Sequence, residues 1–277
     1  MSSSVDTGPV GGASSPIETT HRFIVGDARD VSAVADASVQ LVVTSPPYPM
    51  IAMWDDVFSQ ASPAVADALA REAGPAAFEA MHGILDGCWA EVARVLAPGG
   101  IAAVNVGDAT RTVGGQFALY TNHARIIQGM LGLGLTVLPD ILWRKPTNGP
   151  SKFMGSGMLP GGAYVTYEHE YVLIFRKGGK RIFSPATRLA RRRSAYFWEE
   201  RNLWFSDLWE GLRGVRQHLG VARSRSASFP IELARRLIQM YACYGDLVMD
   251  PFGGTGTTSL AAAALGRSSV YVDLEPE

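Results

Sequence analysis

The sequence predicts an α/β protein with a doubly wound, mostly parallel sheet of seven strands and a small basic lobe. Seven short apolar segments read as strands, and they alternate with helix-like stretches. One of these strands runs into a glycine-rich turn followed by an alanine-rich helix, an arrangement that binds ligands at the carboxyl ends of parallel strands. With 277 residues and 47% hydrophobic content, the chain can bury one good core.

The predicted strands alternate with helices along most of the chain. The stretch 62–97 is rich in alanine and reads as helical, with a break at Gly74-Pro75. Apolar side chains recur at helical spacing in its second half, so it should pack on the sheet. Residues 1–18 are rich in Ser, Gly, Thr and Pro and predict a disordered arm. The strands are expected at residues 21–26, 40–44, 101–106, 136–143, 170–175, 247–249 and 269–272.

The glycine-rich turn has the sequence Asp250-Pro251-Phe252-Gly253-Gly254-Thr255-Gly256-Thr257-Thr258. A P-loop requires a lysine after its last glycine, and here Thr257 follows Gly256. A dinucleotide fingerprint requires the spacing G-x-G-x-x-G, which the three glycines of this turn do not have. The turn therefore indicates neither a nucleoside triphosphate nor a dinucleotide.

Two carboxylates point to a different ligand. Asp250 opens the turn, where it would repel a pyrophosphate but suits S-adenosylmethionine, which carries an amino group and a positive sulfur. Asp273 ends the next strand and can accept hydrogen bonds from ribose hydroxyls. We therefore expect S-adenosylmethionine as the cofactor, held by residues 250–257 and Asp273.

A second motif, Thr44-Ser45-Pro46-Pro47-Tyr48, follows an early strand. Its two prolines cannot extend a ladder and hold the residues before them extended, so the chain forms a stiff elbow. The elbow would present the Ser45 hydroxyl and the Pro46 carbonyl as acceptors for the hydrogens of an exocyclic amine, whose lone pair would become more nucleophilic. Tyr48 would stack on a base rotated out of the duplex. The motif predicts methyl transfer to an amino group, with Ser45, Pro46, Pro47 and Tyr48 as catalytic residues and no metal.

Charge is distributed unevenly along the chain. The formal net charge is −1, yet residues 176–225 contain thirteen Lys and Arg against four acidic residues. Arginine clusters of this density bind phosphates and can form bidentate hydrogen bonds with the edges of guanine bases. Aromatic residues between 196 and 209 are expected to be mostly core or interface. We predict that residues 178–225 form a target-recognition region, with Arg191, Arg192, Arg193, Arg213 and Arg216 on DNA.

Composition bounds the cellular setting. Only two cysteines occur, Cys88 and Cys243, which is too few for a disulfide framework or a zinc site. No apolar run is long enough for a membrane-spanning helix. The first residues of the sequence lack the basic region and the apolar region of a signal peptide. The sequence predicts a cytoplasmic protein without a membrane partner.

With these motifs, the chain resembles the amino-methyltransferases of DNA, in the circularly permuted order called the beta class. The resemblance extends from about Phe23 onward. It implies a Rossmann-like catalytic domain over residues 19–177 and 226–277, a role for Asp27 near the cofactor adenine, and Phe229 and Pro230 in the cofactor motif. The matching segments are Gly26-Asp27, Ser45-Pro46-Pro47-Tyr48, Leu96-Ala97-Pro98-Gly99-Gly100, Asn105-Val106-Gly107-Asp108, Trp143-Arg144-Lys145-Pro146, Glu168-His169-Glu170-Tyr171, Phe229-Pro230-Ile231-Glu232-Leu233 and Asp250-Pro251-Phe252.

The resemblance also bears on substrate and partners. Family members that methylate adenine N6 usually carry aspartate in place of Ser45, whereas serine is more typical of cytosine N4 methylation. Double-stranded DNA is the implied partner, homodimers are common in the family, and a cognate restriction endonuclease would act on the same site in a restriction-modification system. The alternatives left open are adenine N6, an RNA or protein amine, and a non-catalytic nucleic-acid-binding module.

One cluster of titratable residues receives no functional role at this level. Glu168, His169 and Glu170 are adjacent in sequence and could suggest a metal or acid-base site. Alternation along a strand would direct the two glutamates to one face and His169 to the other. The sequence therefore favours an ordinary strand over a metal site.

Overall fold

The fold is a central sheet with helices on both faces. It is seen in a computed structural model that describes residues 18–145, 160–162, 165–213, 217–219, 223–225 and 229–274. The helices are α1 (Asp55–Ala61), α2 (Pro63–Ala70), α3 (Gly74–Val95), α4 (Asn122–Gly132), α5 (Pro185–Arg193), α6 (Trp198–Trp204), α7 (Ile231–Tyr241) and α8 (Thr257–Ala264). The strands are β1 (His21–Val25), β2 (Val39–Thr44), β3 (Leu96–Val106), β4 (Ala109–Val113), β5 (Gln116–Tyr120), β6 (Leu135–Arg144), β7 (His169–Lys177), β8 (Leu208–Trp209), β9 (Gln217–Leu219), β10 (Arg223–Arg225), β11 (Leu247–Asp250) and β12 (Ser268–Asp273).

Eight strands form the central sheet in the order β1-β12-β11-β2-β3-β7-β6-β8. Within it, β7 runs antiparallel to both neighbours, and the other pairings are parallel. Two short antiparallel pairs, β4 with β5 and β9 with β10, stand apart. The carboxyl ends of the parallel strands therefore lie at one edge of the sheet, which we call the catalytic edge.

Alternating side chains of the buried strands fill two cores. On β2, Val42 packs with α3 on one face, whereas Leu41 and Val43 pack with α7 and α8 on the other. Because both faces are covered, the strand reads as a continuous apolar run. This double covering confirms the predicted doubly wound class.

The predicted strands are confirmed, and one feature of the sheet is corrected. All seven expected segments lie in the central sheet, and the prediction of a mostly parallel sheet is confirmed. The expected number of seven strands was wrong, because β8 adds an eighth by pairing with Leu142 and Trp143. A strand of two residues is too short to show an alternating sequence pattern, so only the pairing of β8 with β6 reveals it.

Two further predictions concern the ends and the helices of the chain. The break at Gly74-Pro75 is confirmed, since α2 ends before it and α3 begins there. Residues 1–17 of the expected arm lie outside the described residues. In the part of the chain that the structure describes, no helix has the length and apolar composition needed to cross a membrane.

The described part of region 178–225 packs along the sheet. It begins at the amino edge, where Arg181 makes a paired ion contact with Asp246, the residue before β11. It then passes over α7, where Phe205 meets Tyr241, and reaches the catalytic edge at β8. Trp204 and Trp209 are buried, whereas Tyr196, Phe197, Trp198 and Phe205 are exposed. Only two of these six aromatic residues therefore belong to the core, fewer than expected, and an interface role for the other four stays a prediction. The division of the chain at residues 178 and 225 stays a prediction.

Candidate active site

The sheet order brings the two sequence motifs together. Strand β11, which leads into the glycine turn, pairs with β2, which leads into the elbow, at Val248 with Leu41 and Met249 with Val42. Both motifs therefore leave the catalytic edge side by side. A cavity of about 270 Å³ opens between them. Among the residues that line it are the predicted site residues Asp27, Ser45, Pro46, Pro47, Tyr48, Phe229, Asp250, Pro251, Phe252, Gly253, Gly254, Thr255, Thr257 and Asp273.

Two predicted residues have a different position. Pro230 is buried at the N-terminal end of α7, and Gly256 precedes α8 with a φ of 71°. Neither is among the residues that line the cavity. Gly256 has a left-handed backbone conformation, which favours glycine, so this residue shapes the turn into α8.

Asp250 ties the two motifs to each other. Its Oδ1 accepts from Thr44 Oγ1 at 2.6 Å and from the Phe252 backbone N–H at 3.1 Å, and its Oδ2 accepts from Thr258 Oγ1 at 2.7 Å. Only 3% of the residue is exposed, and this burial raises the pKa of its carboxyl to about 6. The carboxylate thus braces the turn against the end of β2 in addition to lining the cavity.

The other acidic residues stand at the ends of β1 and β12. Asp273 Oδ2 accepts from the Gly254 backbone N–H at 2.8 Å, so it fixes the glycine turn. The Gly26 backbone N–H donates to the Asp273 carbonyl at 2.9 Å, which brings Asp27 beside it. Arg29 donates to Asp27 and holds the pKa of that carboxyl below its usual range. Two carboxylates therefore line neighbouring parts of one wall.

Another part of the cavity lining is apolar. Ile84, Leu85 and Cys88 of α3 contribute to it, together with Phe252. The Phe252 ring lies edge-on to buried Trp89, with 6.0 Å between ring centroids. A cavity lined by both carboxylates and apolar side chains fits a nucleoside with free ribose hydroxyls, and the residues thus fit S-adenosylmethionine.

The elbow continues into a hydrogen-bond network. Ser45 Oγ donates to Tyr48 Oη at 3.1 Å, and Tyr48 Oη donates to Glu170 Oε2 at 3.0 Å. Asn105 Nδ2 donates to Tyr48 Oη at 2.9 Å and to Glu170 Oε2 at 2.7 Å. Burial, followed by the charge of Glu170, raises the pKa of Tyr48 well above its usual range. The phenol is therefore a neutral donor held in one position.

A second set of contacts supports the loop behind the elbow. Asn122 Nδ2 donates to the Pro49 carbonyl at 3.1 Å and to the Gly107 carbonyl at 2.9 Å. Its Oδ1 is 3.0 Å from Nε2 of His82, whose pKa burial lowers to about 4. Since His82 is then neutral, it can donate to Asn122 through this nitrogen. The loops after β2 and β3 are thereby fixed to each other.

Several residues of the site were missed by the reasoning from sequence. Glu170 and Asn105 contact Tyr48, and Lys145 forms an ion pair with Glu170. A usable signal existed for Glu170, because a charged residue that opens a buried apolar strand needs partners. Nothing in the sequence shows that these partners are Lys145 and Tyr48. The expectation for His169 as an ordinary strand residue is consistent with its aromatic contacts to Tyr167 and Tyr171.

The predicted DNA-binding arginines lie at two different places. Arg191, Arg192 and Arg193 end α5, and Ser194 beside them accepts from the Tyr244 backbone N–H at 2.8 Å, so they stand at the amino edge of the sheet. Arg213 is exposed and follows Leu212, whose carbonyl accepts from Trp143 Nε1 at 3.0 Å near the catalytic edge. Arg216 lies outside the described residues. Of the described arginines in this set, Arg213 lies at the same edge of the sheet as the elbow.

The prediction of no metal concerns the whole site. Across the described ranges, no group of three or more His, Cys, Asp or Glu could hold a metal ion. The carboxylates of the described site form ion pairs and hydrogen bonds with protein donors.

The fold and the site together define a class of protein. A doubly wound sheet, with an acidic and apolar cavity that fits a nucleoside beside a Ser-Pro-Pro-Tyr elbow, defines a methyltransferase that acts on an amino group.

Comparisons with known proteins identify the class further. A family model for N6/N4 methyltransferases, described as DNA methylase, matches residues 39–277. The Type II methyltransferase M.MthZI of Methanothermobacter thermautotrophicus is 52% identical over 94% of this chain and 74% of its own length. M.MjaI of Methanocaldococcus jannaschii is 47% identical over 94% of this chain and 88% of its own.

A solved structure supports the same relationship. A candidate DNA modification methylase of Thermus thermophilus, solved in complex with S-adenosyl-L-methionine, is 35% identical, with a TM-score of 0.71 over 93% of this chain and 89% of its own. The chain belongs to the family of N6/N4 DNA methylases. It is a DNA methyltransferase, and S-adenosylmethionine is its methyl donor.

Proposed function

We propose that the protein transfers a methyl group to the exocyclic N4 of cytosine in duplex DNA, after the base has been flipped from the helix. The observation that carries the proposal is Ser45, a hydroxyl acceptor at the head of the elbow, where the adenine enzymes of the resembled family usually carry aspartate. One further observation supports it. The PvuII DNA methyltransferase, which is cytosine-N4-specific, shares the fold with a TM-score of 0.65 at 21% identity.

The residues of the site would act on the amine as follows. The cofactor supplies an electrophilic methyl group on a positive sulfur. Ser45 Oγ and the Pro46 carbonyl would accept hydrogen bonds from the two amine hydrogens, which draws the nitrogen lone pair out of the ring. One of these hydrogens would leave as a proton to solvent once the nitrogen is methylated. Tyr48, whose phenol is fixed by Glu170 and Asn105, would stack on the flipped base. Asp273 would hold the ribose, Asp27 would lie near the adenine, and residues 250–257 would hold the rest of the cofactor.

Labelling of DNA tests the base assignment. Purified protein is incubated with unmethylated duplex DNA and isotopically labelled S-adenosylmethionine, and the nucleosides are identified by mass spectrometry. We expect the label in N4-methylcytosine. Label in N6-methyladenine would retain the fold, the cofactor and the elbow but overturn the assignment to cytosine, and label only in RNA or protein would overturn the DNA substrate.

Substitution of the elbow serine tests the mechanism. Ser45→Ala removes one acceptor for the amine, and we expect the single-turnover rate to fall by about tenfold to a thousandfold, since a preorganised hydrogen bond at a reacting group has roughly that effect. Ser32→Ala, at an exposed serine, is the matched control. A wild-type rate for Ser45→Ala would contradict the proposal that this hydroxyl receives the amine.

The setting and partners follow as parts of the same proposal. Residues 178–225 would recognise the target sequence, with Arg213 near the flipped base and Arg191, Arg192 and Arg193 further along the duplex. A homodimer and a cognate restriction endonuclease remain proposals from the family resemblance. Because its substrate is DNA, we place the enzyme in the cytoplasm.

A further inference from the structure

Glu170 is a buried carboxylate that contacts the elbow. It lies at the start of β7 and is 9% exposed, although it carries a carboxylate. Its Oε1 is paired with the Lys145 ammonium, and its Oε2 accepts from Tyr48 and Asn105. An added Cβ at Gly107 would lie 3.2 Å from Glu170 and 3.1 Å from the Tyr48 ring, so the backbone at Gly107 packs closely against both side chains.

The direction of the hydrogen-bond chain follows from the chemistry of its last member. An ionised carboxylate accepts hydrogen bonds and cannot donate them. The one hydroxyl hydrogen of Tyr48 must therefore point to Glu170, over 3.0 Å. Tyr48 Oη can then only accept from Ser45, whose Oγ lies 3.1 Å away. With its own hydrogen committed to Tyr48, the Ser45 hydroxyl keeps its lone pairs for another partner.

We propose that Glu170 is a positioning residue that sets the direction of the Ser45–Tyr48 hydrogen-bond chain, so that the elbow presents acceptors only and selects an amino group over a carbonyl. The inference rests on the proposed function, since it assumes that an amine enters the elbow. The site would accept cytosine, whose position 4 carries two hydrogens, and reject uracil or thymine, which carry an oxygen there. Polarisation along the chain would also strengthen Ser45 as an acceptor.

Glutamine at position 170 should reverse this direction. A glutamine has one accepting oxygen and one donating NH₂ group. Lys145 is a cation and would take the oxygen, which turns the NH₂ group toward Tyr48. Tyr48 would then donate to Ser45, and the Ser45 hydrogen would point at the incoming amine. If Lys145 is replaced by methionine, the glutamine oxygen is free to face Tyr48 and Asn105, and the original direction returns.

The test is a set of variants read by single-turnover methylation at saturating DNA and S-adenosylmethionine. We expect Glu170→Gln to lower the rate by at least about tenfold, with unchanged cofactor affinity, and Glu170→Gln with Lys145→Met to return close to the rate of Lys145→Met alone. Glu168→Gln is the matched control, because Glu168 is a neighbouring, more exposed glutamate. Glu170→Gln added to Tyr48→Phe should cause no further loss, since Tyr48 carries the effect.

Base selection gives a second readout that a structural role would not change. Binding is compared for duplexes with cytosine or uracil at the target position. We expect the ratio of the two affinities, which favours cytosine in the wild type, to shrink in Glu170→Gln. A wild-type rate in Glu170→Gln, or the same loss in the Tyr48→Phe background as in wild type, would overturn the inference. Failure of the proposed function would look different, because the wild-type protein itself would then label no cytosine.

Discussion

At the scale of single residues, buried carboxylates organise the site. Asp250 receives three hydrogen bonds, from Thr44, Thr258 and the Phe252 backbone, and so connects the cofactor turn with the residue before the elbow. Glu170 is held on the other side of the elbow by Tyr48, Asn105 and Lys145. The elbow is thus flanked by charged groups that are buried and engaged in hydrogen bonds or ion pairs, which makes their removal costly.

Burial of Asp250 makes stability depend on pH. Its pKa is about 6 in the folded protein, against 3.8 for a free side chain, so the folded state binds the proton more tightly. This contribution to stability is present below pH 4 and is lost as the pH rises through 6, by about 3 kcal/mol at 1.36 kcal/mol per pKa unit. The wild type should therefore lose this stability between pH 4 and 7, whereas Asp250→Asn should not. We expect the free energy of unfolding of Asp250→Asn, relative to that of the wild type, to rise by up to that amount over this pH range.

Denaturant unfolding across this pH range measures the effect. The same substitution at Asp67, which is exposed on α2, serves as the control. A difference between Asp250→Asn and wild type that stays constant from pH 4 to 7 would show that this carboxyl does not titrate in the folded protein as described.

At the scale of elements, the turn from β11 to α8 is set by its distance from β12. Gly253 lies so close to Tyr271 that an added Cβ would come within 2.4 Å of the ring. The Gly253 backbone N–H donates to the Val272 carbonyl at 2.8 Å, which keeps the turn against this strand. The glycine is needed at this position because two elements approach each other closely.

Gly253→Ala should therefore displace the turn and weaken cofactor binding. Overpacking of this kind costs about 1–3 kcal/mol, which corresponds to a rise of roughly fivefold to 150-fold in the Kd for S-adenosylmethionine. Calorimetric titration measures the change. Tyr271→Ala in the same chain should recover part of the affinity, because it removes the ring. Gly83→Ala, in α3 with no atom near the added Cβ, is the control, and an unchanged Kd for Gly253→Ala would contradict this account of the turn.

At the scale of the whole molecule, basic residues stand at both edges of the sheet. Strand β7 connects the two edges with nine residues, and the intervals between them, at roughly 3.3 Å each, span about 26 Å. Arg213 is near the catalytic edge, and Arg191, Arg192 and Arg193 are near the amino edge. A duplex that met both sets would extend about eight base pairs from the target, at roughly 3.4 Å per base pair.

Duplex length should separate the two sets of arginines. We expect Arg213→Ala to weaken binding to a 10-base-pair and a 30-base-pair duplex alike, and to lower the slope of log affinity against log salt by about 1. Alanine at Arg191, Arg192 and Arg193 together should weaken binding to the longer duplex alone. Fluorescence anisotropy at several salt concentrations measures both. If the triple variant and the wild type bind the longer duplex with equal affinity, α5 is not part of the DNA-binding surface.

The sequence by itself determined the class of fold, the two motifs, the cofactor and the chemistry of an amine acceptor, because strand periodicity, glycine turns and proline elbows are local properties of the chain. Strand β8 and the contacts of Glu170, Asn105 and Lys145 with the elbow network were decided by the tertiary structure alone. Glu170 follows Tyr48 by 122 residues, and their contact exists because β7 inserts antiparallel beside β3. The placement of the arginines at two edges has the same origin, since composition shows how many charges a segment carries but not where the fold puts them.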